Sequence, residues 1–130
     1  MRRIMLAVLV GLACSDESGP DVPQLQGTWI GTYTNSAAPG TVYEGVLQLT
    51  QDDETVTGTL TTNAGRSASV SGSVSGDRLT ATFTYTDGCA GTASTTADLA
   101  DDQVPPVLTG NYTSSDCLGE TSGGYSLEKQ

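Results

Sequence analysis

Histidine is absent from the 130-residue chain, and Lys129 is its only lysine. Without imidazole there is neither a histidine general base nor a histidine metal ligand. Basic residues are scarce altogether: five Lys and Arg stand against fifteen Asp and Glu, for a net charge of −10. That balance argues against nucleic acid and bare anionic surfaces as partners, because the electrostatic term is repulsive. No stretch has the pattern of a nucleophile elbow, a phosphate loop or a carboxylate pair of defined separation. The expectation is a protein that is not an enzyme, with no catalytic residue, cofactor or metal site. Past the first dozen residues there is also no long apolar run and no apolar repeat of helical period. What recurs instead is Thr, Ser and Gly interleaved with single apolar residues, the composition of half-buried strands rather than of disorder. The length leaves room for one domain and one modest core.

The N-terminus differs from the rest. Arg2 and Arg3 precede the apolar run of residues 4–10, which ends in Gly11-Leu12-Ala13-Cys14. A basic start, a short apolar run and a small residue before a cut point make a secretory signal over 1–13, too short to span a bilayer. Ala13-Cys14 resembles the lipobox of bacterial lipoproteins, although Gly11 stands where that motif usually has Leu. The resemblance implies lipidation of Cys14 and a lipid-anchored place in the bacterial cell envelope, at the outer membrane or the periplasmic or extracellular face. The alternative is an ordinary secretory cut that leaves Cys14 as a thiol. Residues 14–26 then read as the acylated Cys and a flexible tether, with Asp16, Glu17, Pro20, Asp21 and Pro23 and almost nothing to bury. The folded domain is expected over 27–130.

Within that domain alternation restarts eight times, over 27–34, 42–51, 55–62, 67–75, 78–86, 91–99, 107–114 and 122–129. The first stretch places Trp29 and Tyr33 on one face, with Thr28, Ile30, Thr32 and Thr34 on the other. Gln51-Asp52-Asp53-Glu54 and Ser75-Gly76-Asp77-Arg78 read as tight hairpin turns. Eight short strands with one apolar face predict an all-β domain, an eight-stranded antiparallel up-and-down β-barrel that closes to remove its edges. A β-sandwich is the alternative.

In such a barrel successive loops alternate ends, and the residues divide accordingly. Cys89 and Cys117 fall in loops at one end and are expected to form a disulfide, as suits an exported protein. Tyr33, Tyr43, Tyr85, Tyr112 and Tyr125 fall at that same end. Trp29, Leu49, Val56, Val74, Leu79 and Leu108 fall toward the other. An apolar plug below a tyrosine collar has the character of a small-ligand pocket, whereas tyrosines that simply cap a filled core are the plainer reading. Gly31, Gly45, Gly58, Gly72 and Gly110 on the inner face either open room for a ligand or let bulky neighbours fit. At the second end Asp52, Asp53, Glu54, Asp77, Asp101 and Asp102 gather on three turns. They are expected to be solvated rather than to hold Ca²⁺.

Gly27-Thr28-Trp29 on the first of eight strands resembles the calycin group of lipocalins and avidin-like barrels. Val56-Thr57-Gly58-Thr59 and Leu108-Thr109-Gly110-Asn111-Tyr112 are similar to avidin-like strands. The resemblance covers roughly 26–129 and implies a calycin-like barrel. Biotin binding is not implied, because that family has Asn two positions after the first Trp and this chain has Gly31. The leading functional expectation is a membrane-anchored, lipocalin-like protein that binds a small apolar or aromatic molecule through Tyr33, Tyr43, Phe83, Tyr85, Tyr112 and Tyr125. A protein-binding barrel akin to small bacterial protease inhibitors, and a structural envelope lipoprotein with a filled core, are the alternatives. Its expected partners are such a ligand and the membrane that holds the anchor.

Overall fold

The structure, a computed structural model, describes residues 22–130. The expected signal, Cys14 and the first part of the expected tether lie outside the described residues. Eight strands run in chain order: β1 (Gly27–Thr34), β2 (Val42–Asp52), β3 (Thr55–Thr62), β4 (Ser67–Ser75), β5 (Arg78–Tyr85), β6 (Gly91–Ala100), β7 (Val107–Asp116) and β8 (Gly119–Lys129). Each pairs antiparallel with the next, and β1 pairs with β8 from Trp29 opposite Lys129 to Tyr33 opposite Tyr125. The result is a closed up-and-down barrel, as the alternation predicts, and not a sandwich. This architecture is consistent with a calycin-like fold.

Local chemistry explains the hairpins. Asp53 (φ 54°) and Gly76 (φ 61°) take the left-handed conformation that two-residue turns need, at the tips of β2–β3 and β4–β5. The last hairpin is longer than the sequence suggests. Residues 115–121 read as a loop because Ser, Asp, Gly and Glu crowd there. Yet Ser114 faces Thr121, Ser115 faces Glu120 and Asp116 faces Gly119, so only Cys117 and Leu118 turn. Pairing on the other side, Thr92 with Ser115 and Gly91 with Asp116, holds this polar stretch in the sheet.

The core is concentrated at one end. Trp29, Leu25, Leu108 and Val56 are fully buried, with Val74 and Leu79 nearly so. Leu25 departs from the expected tether. It fills the closed end, and its carbonyl accepts a 2.9 Å hydrogen bond from the buried Trp29 indole Nε1–H. Gln51 secures this segment: its Oε1 accepts from Leu25 N at 2.6 Å, and its Nε2 donates to the Pro23 carbonyl at 2.7 Å. Val22 packs on the same cluster. Residues 22–26 are thus part of the barrel, since one apolar side chain and one carboxamide suffice to dock a polar stretch that has no periodicity to reveal it.

This plug carries a stability expectation. Leu25→Ala leaves a cavity under Trp29 and is expected to lower unfolding free energy by about 2–5 kcal/mol. Val104→Ala, at a side chain 99% exposed, is expected to stay within about 0.5 kcal/mol. Urea unfolding of the two variants checks the contrast.

Candidate functional site

At the opposite end the interior is not filled. A partly enclosed cavity of about 80 Å³ lies between Leu47, Leu60, Phe83 and Leu127 below and Tyr33, Tyr85, Tyr112 and Tyr125 around its mouth. Of the six aromatic residues singled out from the sequence, Tyr33, Phe83, Tyr85, Tyr112 and Tyr125 line this space. Tyr43 does not; it stacks behind Tyr33 with ring centroids 5.3 Å apart. Tyr112 meets Tyr33 edge-on at 6.3 Å.

The tyrosine hydroxyls serve the wall. Tyr112 Oη donates to the Thr34 carbonyl at 2.6 Å, and Tyr85 Oη shares a 2.8 Å hydrogen bond with the buried Ser114 hydroxyl. The buried Thr95 hydroxyl donates to the Asn111 carbonyl at 2.7 Å, so the 2.7 Å contact with Tyr125 Oη has the tyrosine as donor. Burial pushes the Tyr112 hydroxyl up to about 12, aided by neighbouring Tyr33, Tyr85 and Tyr43. Burial likewise raises Tyr33 and Tyr125. All three are neutral at physiological pH.

Small residues make this arrangement fit, and the inner-face glycines have different jobs. A Cβ on Gly31 would lie 1.9 Å from the Ser126 carbonyl oxygen, and one on Gly110 would lie 2.8 Å from Tyr125 Oη. Gly31 permits close strand approach, and Gly110 lets the Tyr125 ring cross the interior; neither opens ligand space. Gly45 sits directly opposite Gly31 yet is unlike it. The nearest atoms to a Cβ there belong to Leu60, Thr61 and Tyr33, at an ordinary contact distance of 3.7–3.8 Å, and Gly45 lines the cavity. Its missing side chain is part of the empty volume.

Arg66, from the β3–β4 loop, is the feature that sequence reading missed. Its guanidinium lies 4.0 Å from the Tyr85 ring centroid. Nε donates to Asp87 Oδ2 at 2.6 Å and Nη1 to Asp116 Oδ2 at 2.8 Å. The two carboxylates flank the disulfide that joins Cys89 and Cys117, whose Cα atoms are 5.1 Å apart. Asp87 Oδ1 also accepts from Cys89 N, and Asp116 Oδ1 from Leu118 N. One side chain and one covalent bond therefore tie three mouth hairpins together. The available signal was positional: Arg66 falls in a loop at the cysteine end, and few basic residues exist to balance Asp87 and Asp116.

The acidic turns at the closed end are exposed, and among the described residues no three His, Cys, Asp or Glu come together to hold a metal ion. Among the same residues no helix is long and apolar enough to cross a membrane. The disulfide is consistent with an oxidising, extracytoplasmic compartment. Comparison with protein-family models finds no match for this chain, and a search of curated proteins finds no relative.

The ion cluster carries a pH expectation. The hydrogen bond from Arg66, against opposing desolvation, holds the Asp87 carboxyl at about 2, and the backbone N–H groups of Cys89 and Ser67 assist. Arg66 lowers Asp116 in the same way. An unfolded Asp titrates near 3.9, so this contribution to stability is fully present above about pH 4 and is lost as pH falls toward about 2. The melting temperature is expected to drop across that window, and Asp87→Asn to show a shallower drop. Equal slopes in the two proteins would contradict the assignment.

Proposed function

We propose that this chain is an exported, lipid-anchored bacterial binding protein for a small apolar or aromatic molecule, and that it is not an enzyme. The observation that carries the reading is the cavity bounded by Leu60, Phe83 and Tyr125 and left open by Gly45. Apolar walls with a few oriented polar groups are the usual character of small-molecule sites. The volume sets a limit: about 80 Å³ is roughly half the ~150 Å³ dry cavity that holds a benzene. A bound ring would therefore project into the tyrosine collar.

The anchor rests on Ala13-Cys14 and the basic and apolar run before it. The docked segment at residues 22–26 leads into the closed end through Leu25, so an anchor on Cys14 would present the mouth away from the membrane. Lipidation at Cys14 would argue against a protease-inhibiting barrel, which uses a free N-terminal segment. A structural barrel without ligand is the reading that remains if no molecule enters.

Calorimetric titration of the purified protein with toluene and with indole tests the proposal. Saturable one-to-one binding is expected. Gly45→Leu is expected to abolish it while the melting temperature stays within a few degrees, because a Cβ there comes no closer than 3.7 Å to its neighbours and the rest of the side chain fills the cavity. Absence of binding, or binding indifferent to Gly45→Leu, would count against the pocket.

A further inference from the structure

We propose that Arg66 sets the chemical class the mouth accepts: small uncharged molecules with an apolar body and one hydrogen-bond-accepting oxygen, such as ketones, with anions turned away. This rests on the cavity being a binding site. Among the described residues, Arg66 is the one charged side chain that lines the cavity. A guanidinium carries five N–H groups in a fixed plane. Nε–H is used by Asp87, one Nη1–H by Asp116, and one Nη2–H by a long 3.4 Å contact with the Cys89 carbonyl. Among the described residues, one N–H on each of Nη1 and Nη2 is left without a partner. The nearby hydroxyls of Tyr85, Tyr112 and Tyr125 are already engaged with Ser114, Thr34 and Thr95. Tyr33, Asn35, Thr62 and Thr121 add neutral polar groups to the lining, and the charged donor at the mouth is Arg66, held in place by two carboxylates and the Tyr85 ring.

Charge decides what that donor prefers. Asp87 and Asp116 together outweigh the guanidinium, so the cluster is a net anion on an already acidic protein. A carboxylate ligand would meet that field at the two open N–H groups and would lose more hydration on entering an apolar cavity. A neutral carbonyl oxygen meets neither obstacle and accepts a charge-assisted hydrogen bond from a donor that is already oriented. A cationic ligand would face the guanidinium itself, whose face is laid over Tyr85.

Calorimetric titration of the purified protein with ethylbenzene, acetophenone, benzoate and benzylammonium tests this, because the four share a ring and differ in the group beside it. Acetophenone is expected to bind about tenfold or more tighter than ethylbenzene, and more tightly than either ion. The double variant Arg66→Met/Asp116→Asn removes the donor without stranding the buried Asp116 carboxylate, and is expected to erase the acetophenone advantage. The ranking on the unaltered protein needs no variant, so misfolding of the double variant does not remove the test. Equal binding of ethylbenzene and acetophenone, or tightest binding of benzoate or benzylammonium, would overturn the role of Arg66. The pocket itself would then still stand, provided Gly45→Leu weakens binding. Failure of all four probes to bind would overturn both.

Discussion

Closure of β1 on β8 is the constraint on which the rest of the molecule depends. Each strand has one apolar face, and the outer face is rich in threonine and serine, so among the described residues there is a single interior to fill and no second sheet to cover it. Pairing of 29–33 with 125–129 removes the last free edges and fixes which side chains meet inside. That circle is small. Ala68, Ala93 and Ala97 line part of the wall, and glycines such as Gly31 and Gly110 let backbone or a ring come close where any Cβ would collide.

From that circle follows the difference between the two ends. Below, Trp29, Leu25, Leu108 and Val56 pack without access to solvent, and the indole N–H is satisfied by the Leu25 carbonyl. Above, amphipathic tyrosines replace leucines, and the hydroxyls of Tyr85, Tyr112 and Tyr125 bind the wall rather than project into the space between them. The mouth has few packed contacts of its own. Arg66, its two aspartates and the Cys89–Cys117 bridge take over the task of holding its hairpins in register. The same atoms that stabilise the rim also present the guanidinium to the cavity. In the proposed function, stability at this end and recognition share one side chain.

Much of this was legible in the sequence because period-two alternation is a local signal. Strands β3, β4 and β5 fall where Val56, Val70 and Leu79 alternate with Thr and Ser. Loop parity then placed the cysteines and tyrosines at one end. What was not legible depends on partners distant in the chain. Leu25 is a lone apolar residue in a polar stretch, and its burial follows from a carboxamide 26 residues on. Arg66 is separated by 21 and 50 residues from the aspartates that hold it. Gly31 and Gly45 are identical in sequence and directly opposite in the sheet. One abuts a neighbouring backbone and the other lines the cavity, a difference no alternation pattern encodes.

The barrel is full at the Trp29 end and empty below the tyrosines. Diffraction from crystals held under xenon pressure tests it most directly, because xenon enters dry apolar cavities and scatters strongly. One xenon site among Leu60, Phe83 and Tyr125, with none beside Trp29, is the predicted result. No site in the barrel, or a site under Trp29 and Leu25, would rule out this division of the interior.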